Sequence, residues 1–223
     1  MSALTVADIF RRVQTSFGDE SAVQVTEQKV IDWINDAQRE AVMQHEGLLM
    51  TTGTLSSVAN QGEYALPSNC FTLLHVKYRD SDDASYYALR FMPSVEMNVY
   101  IAGWDGPDYH SGYPQVFTKI GDDKIGLFPR PDRSLAGNIQ LVYARYANDL
   151  TASTDPIDLP HYYHSYVEHF CMMKAYEMDE DWEAAQQKAA VLQSTLNFNN
   201  SREAWFGRES YPSVTPMPED YYG

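Results

Sequence analysis

Three histidines in one short run, His161, His164 and His169, are the residues of this chain best suited to chemistry, with Asp155, Asp158 and Glu168 close by. Imidazoles and carboxylates at that density can hold a divalent metal, and a bound metal can activate water for hydrolysis. His161 and His164 stand three apart, so on a helix they share a face. The remaining parts of such a centre are missing from the sequence. There is no His-Glu-x-x-His pair and no glutamate placed as a general base beside the histidines. Surface and packing roles are therefore expected for all three, with a metal-dependent hydrolase built on them as the alternative.

A second acidic run, Asp179-Glu180-Asp181 with Glu183, lacks the glycine and the alternate-residue spacing of a calcium loop. Carboxylates at a helix start are favoured by the helix dipole, so this run is expected to open a helix. Glycine-rich phosphate loops and a nucleophile elbow are also absent from the sequence. Cys70 and Cys171 are too few for a disulfide framework and read as reduced, half-buried thiols. The chain reads as a non-enzyme with no catalytic residue, metal or cofactor.

The elements that would carry these residues follow from the hydrophobic period. Thr5 can cap a first helix, with Asp8 completing a capping box, and Gly18 can stop it. Val6, Ile9, Phe10, Val13 and Phe17 form one stripe of that helix. A second helix starts after Thr26, with Val30, Ile34, Ala37 and Ala41 as its stripe and Gly47 as its end. The period then changes to two. Leu74, Val76 and Tyr78 alternate with polar neighbours, and Tyr86 to Phe91 answers as a second strand. Pro93 and Ser94 open a brief helical segment. Val116–Ile120 and Lys124–Phe128 read as a hairpin across Gly121-Asp122-Asp123. Ile139, Leu141 and Tyr143 mark another strand, and the middle of the chain is expected to be one small antiparallel sheet.

The helical period returns after Pro160, with Asp158 as the expected cap. Tyr163, Val167 and Phe170, with Tyr166, Cys171 and Met173, make this helix apolar on more than one side, which suits a central position. A last helix from about Asp181 carries a seam of Trp182, Ala185, Ala189, Leu192 and Leu196. The expected fold class is α+β. It comprises an antiparallel helical bundle from 1–50 and 148–200, an inserted small antiparallel β-region from 51–147, and an extended C-terminal arm from 201–223.

Two stretches read as contact surfaces. The loop 103–114 holds glycines and prolines that forbid a regular element, and its Trp104, Tyr109 and Tyr113 are candidates for a partner chain. Residues 201–223 hold Pro212, Pro216 and Pro218 together with Trp205, Phe206, Tyr211, Tyr221 and Tyr222. Each ring represents roughly 150–250 Å² seeking burial, which a solvated tail does not provide. This arm is expected to dock on another subunit or protein.

Composition limits the partners. The formal net charge is −15 over 223 residues. Residues 1–50 hold 4 basic and 8 acidic side chains, and residues 148–200 hold 2 and 9. Binding nucleic acid through its phosphates needs a basic stripe, which this chain lacks. No apolar run approaches the roughly 18 residues of a membrane helix, and the start of the sequence lacks the pattern of a secretory leader.

Four segments in fixed order carry a family resemblance: Trp33-Ile-Asn-Asp-Ala-Gln-Arg-Glu40; Gly62-Glu-Tyr-Ala-Leu-Pro67; Gly112-Tyr-Pro114 leading to Lys124-Ile-Gly-Leu-Phe-Pro-Arg-Pro-Asp132; and Leu141-Val-Tyr143 with Leu150, Asp155 and Leu159-Pro160 before a helix. Together, over roughly residues 25–200, they resemble the head-to-tail adaptor (connector) proteins of tailed bacteriophages. The resemblance implies a virion protein assembled in the host cytoplasm. It implies a ring, usually of twelve copies, beneath the portal protein. The ring would extend the channel through which DNA passes without specific binding, for packaging and ejection, and would give tail or nozzle proteins a platform. It also implies that the C-terminal arm reaches the portal, and it carries over no catalytic residue. A tail-completion or neck protein lower in the tail is the alternative within the virion.

Overall fold

The structure is a computed structural model that describes residues 4–208 apart from Glu20, Glu46, Asp83 and 102–109, with only the backbone described from residue 199. The chain forms two compact units, one from residues 1–45 and 148–223 and the other from 46–147.

The first unit is helical: α1 (Val6–Phe17), α2 (Glu27–Gln44), a 3-10 turn at His161–Tyr163, α4 (His164–Met178) and α5 (Trp182–Arg208). The capping box at Thr5 is formed, with the Asp8 N–H donating to Thr5 Oγ1 and the Thr5 N–H donating to Asp8 Oδ2. Gly18 closes α1 in the left-handed region at φ 81°, a conformation glycine adopts without a Cβ penalty. Val6, Ile9 and Val13 are buried along one face of α1, as are Val30, Ile34, Ala37 and Ala41 of α2. α2 ends at Gln44 with His45 as its cap, short of Gly47. α4 packs on α1, α2 and α5, which explains why it is buried on several sides. Met172, not Met173, is its buried methionine, and Cys171 is fully enclosed.

The segment between the units' last strand and α4 has little regular structure, yet it is tightly held. Two amides of α2 bind it. Asn35 donates to the Leu150 carbonyl at 3.0 Å and accepts from the Leu150 N–H at 2.8 Å. Gln38 accepts from the Asp158 N–H at 2.7 Å. The start of the chain adds main-chain bonds, Val6 N–H to Asp155 C=O and Ile157 N–H to Leu4 C=O. The cap position of the 3-10 turn that follows is Pro160, two residues past the expected Asp158. The Asp158 carboxylate accepts from the Asn148 N–H at 2.8 Å, because the chain folds back on itself there.

The second unit is built from strands and one short helix. In chain order these are β1 (Met50–Ser57), β2 (Glu63–Ala65), β3 (Cys70–Tyr78), β4 (Tyr87–Ala88), β5 (Arg90–Phe91), α3 (Ser94–Tyr100), β6 (Ser111–Gly112), β7 (Val116–Ile120), β8 (Lys124–Phe128), β9 (Arg130–Pro131) and β10 (Leu135–Arg145). The single antiparallel sheet expected here is replaced by two four-stranded sheets, β1-β10-β3-β4 and β2-β8-β7-β5, and a two-stranded β6-β9 ladder. Two pairings, β5 with β7 and β6 with β9, are parallel. The expected strand from Tyr86 to Phe91 divides at Leu89, because the chain leaves one sheet there and joins the other. Leu89 itself is buried, and its N–H donates to the Val76 carbonyl. β6 also shows that Ser111 and Gly112, expected in an irregular loop, have a regular partner.

Both sheets contribute to one core of Tyr64, Val76, Tyr78, Leu89, Phe117, Ile125, Leu127, Ile139, Leu141 and Tyr143. Register irregularities set which side chains reach it. β10 pairs Val142 with His75 but Tyr143 with Leu73, so Leu74 is the extra residue of a bulge. Leu73 takes the core-facing place that alternation assigns to Leu74. A second irregularity in β1, between Leu55 and Ser57, is repaired by the buried Asn138, whose Oδ1 accepts from the Ser57 N–H at 2.8 Å. At Gly53 a Cβ would sit 3.2 Å from the Tyr143 ring, so the ring's place depends on the glycine.

Candidate interaction surfaces

The histidines do not converge. His161 lies in the 3-10 turn and His164 opens α4, with their rings 5.0 Å apart. Both line a hollow of about 560 Å³ with Arg12, Ser165 and Glu168. His169 is five residues past His164, which turns it roughly 140° around the helix. It faces the charge of Lys188 instead. Glu168 is engaged by Arg12 of α1 at 2.8 Å. Among the described residues, no group of three or more His, Cys, Asp or Glu side chains could hold a metal. The set His161, His164 and His169 proposed for a hydrolase is therefore not assembled.

Titration follows from the same surroundings. Burial holds His164 below its ordinary 6.5, opposed in part by the ring's bond to the Leu159 carbonyl, and burial does the same for His169. Asp8, Asp19 and Asp155 are held below 3.8, chiefly by backbone N–H groups donating to their carboxylates. All five lie in the helical unit. A lowered folded-state value means that the unfolded chain takes up protons first as the pH drops. The stabilisation is present above the ordinary value and is lost below it. The melting temperature followed at 222 nm should hold near neutral pH, decline from about pH 6.5 as the histidines charge, and fall more steeply below about pH 4. A flat profile between pH 7 and pH 3 would contradict these assignments.

The acidic run does open a helix. Asp181 Oδ1 accepts from the Ala184 N–H at 3.1 Å, and Glu180 turns the chain at φ 60°. Trp182 departs from expectation. It is 61% exposed, while Ala185, Leu192 and Leu196 form the buried seam of α5. The indole sits in the first turn, before the seam closes on α4.

Of the loop aromatics, Trp104 and Tyr109 lie outside the described residues. Tyr113 is described and belongs to its own unit's surface. The Arg133 guanidinium lies 5.5 Å from its ring centre and donates to its hydroxyl at 3.1 Å. At the C-terminus, α5 continues to Arg208, so the extended segment does not begin at residue 201. The first proline is Pro212, and nothing from Ser201 to Arg208 forbids a helix. Trp205 and Phe206 belong to helical backbone. Tyr211, Tyr221 and Tyr222 lie outside the described residues.

An apolar surface that the periodicity did not flag lies on the second unit. Phe91 stacks on Phe117 at 5.3 Å and is still 53% exposed. Val95, Val99 and Tyr100 of α3 are more exposed still, while Met97 alone anchors that helix. The i, i+4 spacing of Val95 and Val99, opposite Met97, was the available signal.

Among the described residues, no helix is long and apolar enough to cross a membrane. The family model described as SU10 adaptor protein matches residues 4–212. No curated protein matches the chain.

Proposed function

The chain belongs to the SU10 adaptor protein family, a phage structural adaptor type, and from that premise we propose that it is the head-to-tail adaptor of a tailed phage. Copies assemble as a ring, usually of twelve, beneath the portal protein. The ring prolongs the DNA channel used in packaging and ejection and carries tail or nozzle proteins. The family match across nearly the whole chain supports this reading most strongly. The ordered segments from Trp33 to Pro160 and the aromatic C-terminus agree with it. In this reading Tyr211, Tyr221 and Tyr222, with Trp205 and Phe206 at the end of α5, anchor the ring to the portal. Trp104, Tyr109 and Tyr113 form a lesser contact. Virion location and assembly in the host cytoplasm belong to the same proposal.

The charge fits a conduit. A channel wall that carries carboxylates repels phosphates and lets DNA slide, whereas a basic wall would bind it. Asp32 and Asp36 of α2 are exposed and stand four apart on one face. Phage carrying Asp32→Lys with Asp36→Lys should eject DNA more slowly than the parent in a dye-based ejection assay. Unchanged kinetics would remove this face of α2 from the channel wall. Native mass spectrometry of the chain mixed with portal rings tests the reading as a whole. A ring-on-ring complex supports it, and binding to tail proteins with none to the portal would place the chain lower in the neck.

A further inference from the structure

A ring needs a contact that repeats from copy to copy, made by two different patches of the same chain. The described surface holds two patches of opposite character, an apolar groove and an exposed aromatic ring. The first is a groove of about 220 Å³ on the second unit, lined by Leu73, Leu74, Phe91, Phe117 and Lys119. Its walls are apolar, and its one charged lining residue is a cation. Among the described residues the Lys119 ammonium pairs with the fully exposed Asp122, 3.2 Å away, and such surface pairs are weak. α3, which follows β5 and packs on β7, adds exposed Val95, Val99 and Tyr100 beside it.

The second patch is the turn between α4 and α5. Trp182 stands exposed there, flanked by Asp179, Glu180, Asp181 and Glu183. Among the described residues this indole keeps 61% of its surface exposed, although the seam residues Ala185, Leu192 and Leu196 that follow it are buried. Exposed tryptophans with a matching apolar pocket are the usual anchors of protein interfaces. The charge also matches, since an anionic rim around the indole meets a cationic groove.

We infer that the two patches meet between neighbouring copies: Trp182 of one copy enters the Leu73–Phe91–Phe117 groove of the next, and the carboxylates beside it face Lys119. This inference rests on the ring reading above. Because the two patches differ, the contact is head-to-tail and propagates around a ring.

The test uses the full chain mixed with portal rings. Trp182 is exposed, so Trp182→Ala should leave the circular dichroism melt unchanged while raising the concentration needed for ring assembly by about 30-fold or more. Trp182→Phe should recover part of that loss, and Lys119→Glu should weaken assembly through charge. A photo-crosslinking benzoylphenylalanine at position 182 should label peptides from β3 or β7, and mixing isotope-labelled with unlabelled chain should show that the link joins two copies. Rings that form normally with Trp182→Ala, or crosslinks that fall elsewhere, would overturn the inference and leave the ring reading standing. A wild-type chain that forms no ring on the portal would remove the ring reading and this inference with it.

Discussion

A chain that ends at Arg208 is expected to fold like the full-length protein and to bind portal rings at least about 100-fold more weakly. The boundary follows from the fold. α5 runs to Arg208, so this truncation keeps every described element, whereas a cut after Ser201 would also remove two turns of helix. The removed residues hold Tyr211, Tyr221 and Tyr222 and only three charged side chains, Glu209, Glu219 and Asp220. A tyrosine that acts as an interface hot spot costs about 2 kcal/mol or more on truncation, and about 2.7 kcal/mol is a factor of 100. The interaction should therefore depend on rings more than on charge and should weaken only modestly between about 0.1 and 0.5 M salt. Surface plasmon resonance on immobilised portal rings measures both effects. Wild-type affinity in the truncated chain, with an unchanged far-ultraviolet spectrum, would show that the anchor lies elsewhere.

The second large effect concerns stability. Replacing Asn35 by leucine and Gln38 by methionine keeps side-chain shape and removes the bonds of these two amides to the 148–158 segment. Asn35 is 9% exposed and Gln38 fully buried, so water cannot readily replace those bonds. The Leu150 N–H and C=O and the Asp158 N–H would lose their partners. An unmet buried polar group costs about 1–3 kcal/mol, so with three of them the double variant should lose about 3–9 kcal/mol. That is a large part of the 5–15 kcal/mol typical of a domain. Urea unfolding followed by circular dichroism should show the midpoint of the helical unit falling accordingly. A loss under about 1 kcal/mol would mean that the segment is held without these two amides, by its main-chain bonds to Leu4, Val6 and Ala7 and by the Arg39–Asp149 pair.

The parts of the fold that were legible from sequence are those written in local chemistry. Thr5 with Asp8, Thr26 before α2, Gly18 after α1, and the Gly121-Asp122-Asp123 turn each act within a few residues, and each is found where its residue type places it. The β-region was less legible because its pairings join distant segments. Nothing local in Tyr86–Phe91 announces that the chain changes sheets at Leu89, and a strict alternation misassigns Leu74 because a bulge shifts the register. Asn35 and Gln38 lie inside a segment that carries the family resemblance, yet their role shows only once Leu150 and Asp158 are seen against them. Trp182 was misread for a related reason. Its spacing suits the seam, but the seam closes on α4 one turn later.

The contact surfaces expected from sequence remain proposals, since Trp104, Tyr109, Tyr211, Tyr221 and Tyr222 lie outside the described residues. Aromatic content drew attention to the C-terminus and the loop before β7, whereas the spacing of Val95 and Val99 that marks the Phe91–Tyr100 surface stands out only once their exposure is seen. The histidine cluster looked chemical because three imidazoles stand close in sequence. A helix distributes them by angle, and His169 turns away from His161 and His164.

The central claim is that this chain forms the ring that continues the portal's channel toward the tail. Cryo-electron microscopy of the purified chain mixed with portal rings tests it most directly. The account predicts a coaxial ring on the tail-facing side of the portal, with an open axial channel and with density for the residues after Arg208 lying on the portal. Portal rings that remain bare at saturating chain concentration, or that bind the chain off axis with the channel blocked, would contradict it.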